Sequence, residues 1–157
     1  MTAVTSVWRP ADLSTYAGPL LLDTHIWVWH LEGNTNQLTP ELIALLDRCS
    51  SAGQLRVSDI SYWEVAVKTA KAKLLLSIDA GIWLRRAAQA PGIRLLPLDR
   101  DILLLSTRLA GAVHNDPADR MLIAAAVLNN LPLVTADRLI IEYTQEHPGT
   151  PVVDARV

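Results

Sequence analysis

Apolar residues occur along this chain in two patterns. The first is the short continuous run, as in Pro19-Leu20-Leu21-Leu22 and Leu131-Pro132-Leu133-Val134. Such runs read as strands buried on both faces, because a strand with one wet face would alternate polar and apolar residues. The second is the spaced cluster, such as Leu42, Ile43, Leu45 and Leu46, which forms one face of a helix. Thr39 caps that helix and Pro40 occupies its first turn. Further strands are predicted at residues 54–58, 93–96 and 152–153. Helices are predicted at 24–31, 59–73, 79–90, 99–110, 116–130 and 138–145. Gly33-Asn34 and Pro91-Gly92 act as breakers. Strands alternating with helices indicate an α/β domain with a largely parallel sheet. Residues 1–18 have no clear periodicity and read as an extension or loosely packed arm, followed by a single domain over 19–157.

Composition narrows the classes. Half of the 157 residues are hydrophobic and 19% are charged, which excludes a disordered chain. The mean hydropathy of +0.22 is high for a domain of this size and is compatible with apolar surface covered by another subunit. The net charge of -2 lacks the basic excess of many nucleic-acid binders, so any such contact must be local or bridged by cations. A single cysteine, Cys49, excludes an intrachain disulfide and a Cys-based zinc site. A reducing, cytoplasmic setting is therefore expected. No stretch reads as a secretory signal or a transmembrane helix.

The acids change the picture most. Asp23 stands at the carboxyl end of the first strand, and Asp137 just beyond the carboxyl end of the strand at 131–135. In open α/β sheets, ligands bind beyond strand carboxyl ends at a topological switch point, so these two share a crevice if their strands are neighbours. Asp119 falls in the first turn of one helix and Glu64 about one and a half turns into another. Carboxylates gathered in one place repel unless protons or cations neutralise them. Mg²⁺ or Mn²⁺ suits such oxygen donors, and these metals support hydrolysis of a phosphodiester. Each acid also has an ordinary structural reading. Asp23, Asp116 and Asp137 can be helix caps, Asp119 can complement a helix dipole, and Glu64 can pair with Lys68 on a solvated face.

Four segments carry a resemblance: Leu20-Leu21-Leu22-Asp23-Thr24-His25, residues 60–68 around Tyr62-Trp63-Glu64, residues 114–126 around Asp116-Pro117-Ala118-Asp119-Arg120, and Leu131-Pro132-Leu133-Val134-Thr135-Ala136-Asp137. In this order they resemble PIN-domain ribonucleases, specifically the VapC-type toxins of bacterial toxin–antitoxin pairs. The resemblance implies a three-layer α/β/α PIN-like fold with a mostly parallel sheet of order 3-2-1-4-5. It implies that Asp23, Glu64, Asp119 and Asp137 are the catalytic, metal-binding acids, with Asp116 and Thr135 supporting them. It further implies Mg²⁺- or Mn²⁺-dependent endonucleolytic cleavage of RNA to 5′-phosphate and 3′-hydroxyl ends. The implied partners are a second copy of the chain and a cognate VapB-type antitoxin whose C-terminal segment blocks the acidic pocket. Family members usually begin just before the first strand, whereas about 18 residues precede it here.

Other residues are open to two readings. Lys68, Lys71 and Lys73, together with Arg120, are candidate RNA contacts, or else an ordinary basic helix end and an ion-pair partner. Arg85 and Arg86 read as a solvated face. His25 and His114 flank acidic segments and are assigned to helix-end packing rather than to a general-base role. Trp27, Trp29, Trp63 and Trp83 read as core or interface anchors, with base stacking as the rarer use. Two competing functions are a non-toxin nuclease of RNA maturation or DNA processing, and a non-catalytic binding module on the same scaffold.

Overall fold

The computed structural model describes residues 7–110, 116–147, 149 and 151–157. Among the described residues, six strands form one sheet: β1 (Val7–Trp8), β2 (Leu20–Leu22), β3 (Leu55–Ser58), β4 (Ile93–Leu96), β5 (Leu133–Thr135) and β6 (Val152–Asp154). Within the same described residues, seven α-helices accompany them: α1 (Thr24–Glu32), α2 (Pro40–Ser51), α3 (Asp59–Ala70), α4 (Ala80–Ala88), α5 (Arg100–Ser106), α6 (Pro117–Asn129) and α7 (Arg138–Glu146). A 3₁₀ turn spans Pro10–Leu13. The sheet order is β1-β6-β5-β2-β3-β4, and every pairing is parallel.

The five strands expected from the sequence thus hold the order 3-2-1-4-5, and a sixth is added at one edge. That strand comes from the N-terminal arm, whose Val7 and Trp8 pair with Val152 and Val153. The described part of the arm is therefore tied down rather than loosely packed. Arg48 reinforces it by donating to the carbonyls of Leu13 (2.8 Å) and Tyr16 (3.3 Å).

Side chains on the continuous apolar strands alternate between two cores. Leu20, Leu22, Val134 and Val153 face a core filled from α1, α2 and α4 by Trp27, Leu42, Leu45, Leu46 and Leu84. Leu21, Leu133 and Val152 face the opposite core, filled from α5, α6 and α7 by Ile102, Leu122, Ile123, Ile140 and Ile141. Helix α3 lies at the margin, giving Val65 to the first core and Ile60 to the second. Covering both faces buries every residue of β2, β5 and β6, which is why those runs contain little polar alternation.

Two helices end three or more residues before their predicted ends. Helix α5 stops at Ser106, where the hydroxyls of Ser106 and Thr107 donate back to the carbonyls of Leu103 (2.6 Å) and Leu104 (2.7 Å) and compete with helix propagation. Helix α3 stops at Ala70. Lys71 is its cap, and Ala72 adopts a left-handed φ of 55° that turns the chain away.

Candidate active site

The chain runs outward from β2 through β3 to β4, then returns to place β5 beside β2. Between β2 and β5 the sheet changes direction, and α1 and α7 leave toward opposite faces. A crevice opens where they part. It is a cavity of about 270 Å³ lined by Asp23, His25, Trp29, Glu64, Lys68, Asp116, Asp119, Ala136 and Asp137.

Helix starts deliver most of these acids. Asp23 caps α1, its Oδ1 accepting from the Thr24 backbone N–H at 2.7 Å. Asp137 caps α7, accepting from Leu139 N–H (2.8 Å) and Ile140 N–H (3.3 Å). Asp116 caps α6 through Ala118 N–H (2.9 Å), with Pro117 in the first turn, and Asp119 sits in that same turn. The capping readings of Asp23, Asp116 and Asp137 therefore hold, and the same three carboxylates still line one crevice. Glu64 does pair with Lys68, at 3.4 Å, but not on a solvated face: its side chain is only 8% exposed.

Hydroxyl groups orient the buried acids. Thr135 Oγ1 donates to Asp23 Oδ2 at 2.7 Å and accepts from the Asp137 N–H at 3.0 Å, so one hydroxyl ties the two strand-end acids together. Thr24 Oγ1 lies 2.7 Å from Glu64 Oε1 and 2.8 Å from Ser61 Oγ. An ionised carboxylate only accepts, so the Thr24 hydroxyl donates to Glu64 and the Ser61 hydroxyl donates to Thr24. Thr24 and Ser61 are the supports that reading the sequence missed. Their signal was local: a hydroxyl residue directly after the first acid, and another three residues before the glutamate on its helix.

The electrostatics follow from burial first and crowding second. Burial raises the Asp119 carboxyl to a pKa of about 8, helped by the negative charges of Asp23, Asp116, Asp137 and Glu64. Burial also pushes Asp23 above its ordinary range, opposed by its bonds from Thr135 and Thr24 and by His25. Carboxylate oxygens are the donor set that a hard divalent cation takes, and the repulsion they suffer is what such a cation relieves. Among the described residues, no three His, Cys, Asp or Glu side chains are already arranged as they would be around a bound metal ion.

The basic candidates divide. Lys68 lines the crevice, whereas Lys71, past the end of α3, and Arg120, on α6, line neither it nor the larger groove beside it. Lys73 lies beyond the helix that was predicted to carry it. His25 lines the crevice and meets the Trp29 ring at 5.7 Å, while His114 lies outside the described residues. Trp27 and Trp83 are core residues packed edge to face at 5.1 Å.

The pattern of the PIN domain matches residues 20–145 of this sequence. The chain belongs to the PIN-domain family. This PIN domain is 27% identical over 131 residues to Ribonuclease VapC22 of Mycobacterium tuberculosis, an alignment spanning 83% of this chain and 96% of that protein. Among solved structures it is similar to VapBC2 from Rickettsia felis, bound to a promoter DNA fragment. That match has a TM-score of 0.62 and 13% identity, over 86% of this chain and 97% of the other. FitAcB from Neisseria gonorrhoeae gives a TM-score of 0.60 and 20% identity, over 87% and 97% respectively. At those identities the structural likeness speaks for the PIN fold. Among the described residues, no helix of this PIN domain is long and apolar enough to cross a membrane.

Proposed function

We propose that this chain is a metal-dependent endoribonuclease and the toxin of a toxin–antitoxin pair. The observation that carries the proposal is that Asp23, Glu64, Asp119 and Asp137 line one crevice at the sheet's switch point, where burial, helped by the neighbouring carboxylates, raises Asp119 to about 8. The relative Ribonuclease VapC22 supports the substrate class. The solved VapBC and FitA-containing assemblies support an antitoxin partner of VapB type. A homodimer is consistent with the apolar side chains left exposed on α5 and α6, among them Leu104 and Leu128.

Asp23, Glu64, Asp119 and Asp137 are the residues that would hold Mg²⁺ or Mn²⁺. When bound, such an ion supplies charge neutralisation at the phosphate and lowers the pKa of coordinated water. The chain's own contribution is placement. Thr135 and the Thr24 N–H fix both oxygens of Asp23, leaving its rotamer no freedom. Thr24 and Lys68 hold the two oxygens of Glu64. Asp116 anchors the start of α6 and so places Asp119. Lys68, at the crevice mouth, is positioned to meet a phosphate oxygen of the RNA backbone. Asp23, Glu64 and Asp119 are buried, which strengthens each of these interactions. The reaction is attack of water on phosphorus, with cleavage of the bond to the 3′ oxygen, giving 5′-phosphate and 3′-hydroxyl ends.

Induced expression tests the biological half of the proposal. Wild-type protein should arrest growth in the cytoplasm of a bacterial host and create new 5′-phosphate ends in cellular RNA. Asp23→Asn should do neither. Co-expression of the small protein encoded beside this chain should restore growth. Arrest by both forms alike would contradict the proposal.

A further inference from the structure

Beside the acidic crevice runs a second, larger groove of about 600 Å³, between α3 and α6. One wall is a ridge of α3 made by Ile60, Trp63 and Val67, which share a helix face by their spacing. The other wall is Pro117 and Met121 of α6, with Leu98 contributing from the segment before α5. The groove is largely apolar, with Asp59 at the start of α3 as an added acid, and where it opens into the crevice Glu64, Lys68 and Asp116 line both spaces. Trp63 is 58% exposed, although its chain neighbour Glu64 is buried. An indole so exposed, flanked by Ile60, Val67 and Met121, offers a flat face to a flat partner.

We infer that this groove is a nucleobase subsite, in which Trp63 stacks on the base next to the phosphodiester that is cut. The inference rests on the ribonuclease reading above and adds the position of the neighbouring nucleotide. Continuity of the two spaces carries it. A phosphate held at the acids delivers an adjacent base within one nucleotide step, and the only apolar space contiguous with the acids among the cavities described is this groove. Its volume falls in the range of sites that enclose a small organic ligand. Lys68 stands at the junction, where the backbone linking the base to the reacting phosphate must pass. Stacking on an aromatic ring tolerates any base, so Trp63 contributes affinity and register more than sequence choice. Single-stranded RNA is favoured over duplex, because a paired base cannot leave its stack to enter the groove.

The test is steady-state cleavage of a short, fluorescein-labelled single-stranded RNA of mixed sequence, with Mn²⁺, by wild type, Trp63→Ala and Trp63→Phe. Trp63→Ala should raise KM by about 5- to 100-fold, a larger change than in kcat. Trp63→Phe, which keeps a stacking face, should recover most of that loss. Circular dichroism of all three should coincide, since the side chain is largely outside the core. In the Asp119→Asn background the same RNA should quench tryptophan emission, and the quenching should shrink when Trp63 is replaced by Phe. Equal KM values for wild type and Trp63→Ala would overturn the inference while leaving the ribonuclease reading intact. If Trp63→Ala instead cleaves normally but releases the small protein encoded beside the chain, the groove belongs to a protein partner and the inference is overturned. Absence of cleavage by wild type would overturn the ribonuclease reading itself.

Discussion

Each of Asp23, Asp116 and Asp137 closes the start of a helix, and each also lines the crevice. The two roles are compatible because a carboxylate offers about four lone-pair sites and a cap consumes one or two. Sequence position could offer these residues as caps or as candidate site acids, but not show that one carboxylate both caps a helix and lines the crevice. Glu64 was ambiguous for another reason. Its pairing with Lys68 was readable from the i,i+4 spacing, whereas its burial depends on Thr24 and Ser61 packing from another element and from the preceding turn. The hydroxyl of Thr135 makes the sharpest prediction at this scale. Thr135→Val keeps the shape but removes the donor to Asp23 Oδ2 and the acceptor for Asp137 N–H. RNA cleavage should fall by about 10- to 100-fold, with Tm lower by only a few degrees, as measured by parallel kinetics and thermal melts.

Asp119 supplies a pH prediction in metal-free protein. Its folded pKa of about 8 stands above the ordinary carboxylate value of 3.8, so the folded state holds this proton more tightly than the unfolded chain. The stability it contributes is complete below the unfolded value and is lost as pH rises through about 8. Melts in a chelator-treated buffer should therefore show lower Tm at pH 9 than at pH 6. Asp119→Asn should flatten that dependence and raise Tm at pH 9 on the order of 5 °C. An unchanged slope in the variant would show that other groups carry the effect.

At the scale of elements, starts were easier to read than ends. The starts of α2, α4, α5, α6 and α7 each show an Asp or Thr cap in the sequence, and the structure uses every one. Ends depended on backbone competition, as at Ser106 and Ala72, where apolar periodicity continued past the true stop. Pro91-Gly92 was visible as a breaker, but the tertiary reason for the glycine was not. Gly92 has a φ of +84°, and a Cβ there would stand 2.3 Å from both the Ser50 carbonyl oxygen and Oγ at the end of α2. Its carbonyl also accepts the Leu55 N–H at 3.0 Å, which sets β4 against β3. Gly92→Ala should therefore cost about 3 kcal/mol and lower Tm by roughly 10 °C. The crevice is remote from this turn, so RNA cleavage well below the melting temperature should persist. A thermal shift assay and a cold cleavage assay together check both halves.

For the whole molecule, the central strand order was accessible because buried runs and helix spacing constrain a parallel sheet strongly, and the family resemblance supplied the order itself. The sixth strand was not accessible. Val7 and Trp8 are only two residues, show no alternation, and pair with residues at the opposite end of the sequence. Such a contact has no local signature. The site followed the same division. Asp23 and Asp137 could be placed from strand ends alone, while Asp119 and Glu64 needed helices from separate parts of the chain to converge. The proposed function depends on these four acids sharing one crevice, and one measurement probes that most directly. Purified wild type and the four single variants Asp23→Asn, Glu64→Gln, Asp119→Asn and Asp137→Asn should be assayed on labelled single-stranded RNA with Mg²⁺, with Mn²⁺ and with chelator. The account predicts metal-dependent cleavage by wild type and a loss of at least about 100-fold in every variant, since the carboxylates act as a unit. Cleavage that persists in chelator, or in any two of the four variants at the wild-type rate, would contradict it.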